Sequence, residues 1–105
     1  VLIIARPCQR ELDDLPEEVR GDLADAIARL ERGLMLSMSL SRPMPSIGRG
    51  VHELRLTHRS GTYRVFYALR RGAIYILGAF KKKGQKTPQR VMEVIRERVS
   101  KEVRS

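Results

Sequence analysis

The stretch GVHELRLTHRSGTYRVFYALRRGAIYILGAFKKKGQKTP, residues 50–88, decides the fold. Three runs within it, Val51 to Thr57, Thr62 to Leu69 and Ala73 to Phe80, are rich in β-branched, aromatic and aliphatic residues. They are separated by His58-Arg59-Ser60-Gly61 and by Arg70-Arg71-Gly72, both of hairpin length and both containing glycine. Connections this short join antiparallel neighbours, so a meander of three strands is expected. Side chains along a strand alternate faces, which puts Glu53, Arg55 and Thr57 on one side and His52, Leu54 and Leu56 on the other. In the second strand Arg64, Phe66 and Ala68 oppose Tyr63, Val65, Tyr67 and Leu69. If the apolar alternates face helices, then Glu53, Arg55 and Arg64 gather on the opposite, open face.

Charge follows the same stretch. Between Arg49 and Arg90 there are eleven Lys and Arg residues and one acid, Glu53, a net of +10 in a chain whose total is +9. The remainder of the chain is therefore almost neutral, and the positive charge is a local feature of the sheet and the segment that closes it. Such a surface is the electrostatic footprint of an anionic partner, nucleic acid first.

Working outward, Val1 to Ala5 is a short apolar run that reads as a buried strand, and Gln9 to Leu15 as a polar turn or short helical lead-in. Pro16 suits the first position of a helix, with Glu17 and Glu18 complementing its dipole. Val19, Leu23, Ile27, Leu30 and Leu34 then draw one apolar stripe down a helix ending near Gly33. Met35 to Gly50 lacks any period and reads as a loop. Beyond the strands, Thr87 caps a last helix whose first residue is Pro88, with Val91, Val94, Ile95 and Val99 as its apolar stripe. The order predicts one α+β domain over residues 1–105, with helices on one face of a mainly antiparallel sheet of about four strands.

The composition excludes some classes. No run approaches the about 18 apolar residues of a membrane span, so no membrane partner is expected. The lone Cys8 has no disulfide partner in the chain and no second thiol with which to bind a metal, which fits a reducing cytoplasm. The chain opens on VLII without methionine, as a processed or missing start would leave it. No metal constellation and no cofactor-binding loop is expected.

Two guanidinium groups beside a carboxylate suit an RNA phosphate, because arginine grips phosphate oxygens bidentately and fixed positive charge stabilises a phosphorane. The same residues are equally compatible with a solvated face on which Arg55 and Arg64 pair with Glu53. Lys81, Lys82, Lys83 and Lys86 precede a helix N-terminus, where free N–H groups favour an anion. His52 and His58 offer themselves as an acid–base pair, but alternation puts His52 on the helix-facing side and leaves His58 in a turn. Tyr63, Tyr67 and Tyr75 fall on apolar alternates and read as core.

The HELRL segment containing Leu54-Arg55-Leu56, the run Gly61-Thr62-Tyr63-Arg64-Val65, and the closing Phe80-x-Lys82-Lys83-x-Gln85-Lys86-Thr87-Pro88 together resemble the phage-derived Gp49-like, HigB-type toxins of the RelE/ParE superfamily. The resemblance extends upstream through LPEEVR and its amphipathic helix. It implies the small RelE-like α+β fold and a toxin of a type II toxin–antitoxin system. It further implies a helix-turn-helix, HigA-like antitoxin as partner in a hetero-oligomer, and messenger RNA in the ribosomal A site as substrate. Carried onto this chain, Arg64 is the transition-state arginine, Arg55 a basic position of the nuclease site, and Lys82 and Lys83 part of the basic closing motif. The implied reaction is attack of the RNA 2′-hydroxyl on the adjacent phosphate. Arginine stays protonated and is no general base, which leaves Glu53 as the candidate base and a lysine of the cluster as the proton donor. Lys81, Lys86, Arg59 and Arg49 extend the surface as RNA-binding positions. Gly78 departs from the histidine that many relatives carry before the closing Phe80. Two further readings stay open: a ParE-like topoisomerase inhibitor, and an inactive relative that only binds nucleic acid or antitoxin.

Overall fold

The computed structural model describes residues 1–103; the last two residues of the expected 1–105 unit lie outside it. In chain order the elements are β1 (Leu2–Ile4), α1 (Cys8–Asp13), α2 (Glu17–Glu31), β2 (Ser41–Pro43), β3 (Val51–His58), β4 (Gly61–Arg70), β5 (Ala73–Lys81) and α3 (Gln89–Glu102). All five strands form one sheet in the order β1-β5-β4-β3-β2. The expected meander is its centre: Arg55 pairs with Arg64 across β3 and β4, and Arg64 with Phe80 across β4 and β5. β1 adds to β5 in parallel, and β2 adds to β3 antiparallel from within the stretch expected to be loop. At three residues, β2 is too short to show a period of two in the sequence.

Local chemistry accounts for the connections. Arg71 and Gly72 at the β4–β5 turn have φ of 48° and 80°, the pair of left-handed residues that a tight hairpin matched to strand twist requires. α2 stops where Gly33 takes φ 80°: its N–H bonds the Leu30 carbonyl and the Leu34 N–H bonds that of Arg29, satisfying carbonyls that would otherwise be left over. The predicted stripe ends with that turn, and Leu34 is exposed. α1 occupies the expected helical lead-in, one residue earlier than predicted.

The helices do not share a face. α1 and α2 cover one side, where Cys8, Leu12, Val19, Leu23 and Ala26 pack on Leu54, Leu56, Tyr63, Val65, Tyr67, Ile74 and Ile76. α3 covers the other with Ile95, over Val51, Phe66, Ala68, Tyr75 and Leu77. The face expected to be open is thus a second core. Valine, phenylalanine, alanine, tyrosine and leucine on that face bury apolar area only if another layer lies over them.

A register shift in the β4–β5 ladder makes α3 fit. Phe66 pairs with Gly78 and Tyr67 with Ile76, so Leu77 is the extra residue of a bulge. Gly78 lies directly under α3: a Cβ there would meet Ile95 Cδ1 at 2.5 Å and Phe80 Cε2 at 2.8 Å. Position 78 therefore belongs to helix–sheet packing in this chain, and histidine does not fit there. Arg98 pins α3 from the other side, donating to both Glu11 oxygens at 2.8 and 3.0 Å and to the Leu77 carbonyl at 2.9 Å.

Gly78→His is expected to prevent stable folding, and Gly78→Ala to cost about 1–3 kcal/mol by overpacking, as measured by urea denaturation. Burial, reinforced by the Glu11 carboxylate, pushes the Cys8 thiol up to about 12. Between roughly pH 9 and 12 the unfolded chain loses a proton that the native thiol keeps, so stability should fall as pH rises through that window. Cys8 should correspondingly resist alkylation at pH 8 until urea unfolds the chain.

Candidate nucleic-acid interface

The segment from Lys81 to Pro88 leaves the sheet beside β4 and enters α3, and one buried cluster fixes its course. Glu53 is 0% exposed and sits on the α3 side of β3. Arg42 Nε of β2 donates to Glu53 Oε1 at 3.1 Å, and the Thr87 hydroxyl donates to Oε2 at 2.8 Å. Arg64, 4% exposed, places Nε 3.6 Å from the same Oε2. Its Nη1 donates to Thr87 Oγ1 at 2.7 Å, and its Nη2 to the carbonyls of Gln85 at 2.9 Å and Gly84 at 3.4 Å. A carboxylate buried this deeply persists because opposite charge and hydrogen bonds surround it. The guanidinium ties β4 to the connecting loop.

Above this cluster opens a cleft of about 200 Å³, lined by Arg64, Phe66, Phe80, Lys81, Lys82, Lys83, Thr87, Pro88, Arg90 and Val91. Phe66 and Phe80 meet edge to face, with ring centroids 6.3 Å apart. Five of the lining side chains are cations, and no carboxylate is among them. α3 begins at the cleft: Pro88 is its N-cap, no side chain caps its first N–H groups, and no acid lies in its first turn. Free amides at the positive end of a helix add to the field that draws an anion. Thr87, expected as the cap, spends its hydroxyl on Glu53 and Arg64 instead.

The predicted positions divide accordingly. Lys81, Lys82, Lys83 and Arg64 come together at the cleft, and Lys86 stands exposed on the loop outside its lining. Arg55 is cross-strand partner to Arg64 but lines a separate cleft of about 380 Å³ against α2, with Asp22, Asp25 and Arg29. Arg59 lies in the β3–β4 hairpin, in a pocket with Glu18, Asp22 and His58. Arg49 is held at the far end of the sheet, where Arg70 donates to its carbonyl at 2.6 Å. The general-base role for Glu53 does not fit its geometry, because both oxygens already accept hydrogen bonds out of reach of solvent. Sequence reading missed Arg42, Thr87 in this role, and Arg90. Arg42 gave no signal because it lies on a strand of three residues; Arg90, two residues past Pro88 on a helix first turn, could have been found. His52 stacks on Tyr67 at 5.1 Å on the α2 side, as alternation indicated.

A family model described as phage derived protein Gp49-like matches residues 10–100. Among curated proteins, none matches the chain. Among solved structures, the isolated E. coli RelE toxin aligns with TM-score 0.57 and 16% identity, over 91% of this chain and 95% of that one. A mutant E. coli RelE in the free state aligns with TM-score 0.61 and 21% identity, over 97% and 96%. The intact E. coli RelBE toxin–antitoxin complex gives TM-score 0.57 and 18% identity, over 79% and 96%. These likenesses show the fold.

Removing one partner of the buried pair strands a charge, so Glu53→Ala should cost about 3–5 kcal/mol. Lys82→Ala and Lys83→Ala, by contrast, should stay within about 0.5 kcal/mol of the parent. Urea denaturation of the three variants checks both.

Proposed function

From the chain's membership of the phage-derived Gp49-like family, we propose that it is the toxin of a toxin–antitoxin pair and that it cleaves messenger RNA in the ribosomal A site. The observation that carries this reading is the cleft with a wholly cationic charged lining at the N-terminus of α3. It accommodates one phosphate, with the partly exposed Phe80 beneath an adjoining sugar or base. The 2′-hydroxyl passes its proton to solvent water as its oxygen attacks the neighbouring phosphorus, the P–O5′ bond breaks, and a 2′,3′-cyclic phosphate and a 5′-hydroxyl result. Lys82 and Lys83 neutralise the charge that develops on the phosphorane oxygens, and a lysine ammonium supplies the proton taken by the departing 5′-oxygen. Lys81 and Arg90 hold the flanking backbone.

The likeness to the RelBE complex supports an antitoxin partner, here one of helix-turn-helix, HigA-like type, forming a hetero-oligomer with the chain in the cytoplasm. Among the described residues no helix is long and apolar enough to cross a membrane.

Purified chain added to translating ribosomes should cut messages at the A-site codon, mapped by primer extension. Lys82→Ala and Lys83→Ala should each lower the cleavage rate by about tenfold to a thousandfold, the range for removing one charge-stabilising group. Intact messages in the presence of folded wild-type chain would sink the proposal.

A further inference from the structure

Resting on that reading of the cleft, the geometry points to Thr87 as the positioning residue of the site, with Arg64 serving the protein and leaving the RNA to the lysines. Arg64 is committed within the protein through both terminal nitrogens, while its buried Nε, 3.6 Å from Glu53 Oε2, makes no hydrogen bond. Its guanidinium faces Glu53, Thr87 and the carbonyls of Gly84 and Gln85, and it is 4% exposed. An incoming phosphate would have to displace two peptide carbonyls and a hydroxyl and then compete with a carboxylate that no solvent reaches. Lys81 and Lys83 meet no such competition; both are exposed, and among the described residues neither is in an ion pair.

A hydroxyl at position 87 meets two demands with a single atom. One group there must donate to Glu53 Oε2 and accept from Arg64 Nη1 at the same time, which a hydroxyl does and an ammonium, carboxylate or methyl does not. Because Thr87 adjoins Pro88, the N-cap of α3, the same two bonds fix where α3 starts. Together with the Arg64 bonds to Gly84 and Gln85, they hold the loop at its middle and at its end. Lys81, Lys82, Lys83 and Arg90, which line the cleft, are thereby placed around it before RNA arrives, and ordering them then costs the complex less.

The test uses a single-stranded RNA carrying 2′-O-methyl at every residue, so that attack is blocked. Thr87→Val keeps the side chain's shape and every charge. It should weaken binding of this RNA about tenfold while leaving the slope of log K against log salt unchanged, and Thr87→Ser should restore affinity to within about threefold. Lys83→Ala should instead lower the slope by about 0.7, the value for one lost contact on a single strand. Full affinity in folded Thr87→Val would overturn the inference, as would a reduced slope. Should Thr87→Val fail to fold, NMR of the wild-type chain decides. The Arg64 guanidinium signals should stay in place when the RNA is added while the lysine signals shift, and movement of the Arg64 signals would show direct contact and refute the assignment. Binding of the methylated RNA needs no cleavage, so a chain that grips it yet leaves ribosome-bound messages intact would fail the nuclease reading and not this one.

Discussion

Glu53 is the residue around which the rest is arranged. A carboxylate with no exposed surface, one strand in from the edge of the sheet, requires positive charge and hydrogen bonds from every direction it faces. It receives them from three separate parts of the chain: Arg42 on β2, Arg64 on β4, and Thr87 just before α3. No two of those parts are neighbours in sequence. Burying such a pair adds little net stability compared with apolar residues of the same volume, yet it penalises any arrangement in which one of the three is displaced. The cluster thus fixes the relation of edge strand, hairpin and closing loop, and the cleft is the space that this relation leaves.

The elements legible in the sequence were those whose information is local. The two hairpins follow from glycines at fixed offsets between apolar runs, and α2 and α3 from proline at the start and a stripe of aliphatic residues. β2 and the layer order were not legible, for different reasons. Ser41–Pro43 is paired by its context, since three residues carry no pattern. The covered second face did leave a signal: Val51, Phe66, Ala68, Tyr75 and Leu77 share the side of the sheet that carries Glu53 and Arg64. An alternation argument that sorts residues into one inner and one outer face assigns such a mixture to solvent. In a sheet buried on both sides, apolar residues occur on both, and the charged ones among them are paired.

Net charge overstates what meets an anion. Of the eleven Lys and Arg residues between positions 49 and 90, Arg64 is neutralised by Glu53. Arg70 is committed to the Arg49 carbonyl, and Arg55 lines a different cleft, beside α2. These groups contribute to the general field of the molecule, but a condensed counterion is released only where a cation replaces it at the phosphate. On the proposed reading the charge that meets phosphate is concentrated at one cleft, lined by Lys81, Lys82, Lys83 and Arg90 at the start of α3, with Lys86 exposed on the loop beside it.

A division of labour between the two kinds of cation follows from their chemistry. Arginine presents donors in a rigid fork and is weakly hydrated, so it can be buried against a carboxylate and still bind carbonyls in fixed directions. Lysine is a strongly hydrated point charge on a flexible stem, which suits an exposed position where a phosphate must be bound and then released. Here the arginine lies inside and the lysines outside, with Thr87 bridging the buried carboxylate and guanidinium at the helix start. The order of loss under perturbation is then fixed by structure. Removing a lysine removes one charge from the cleft and leaves its shape, whereas removing a member of the buried cluster leaves every lysine in the chain and takes away the loop geometry that makes them converge.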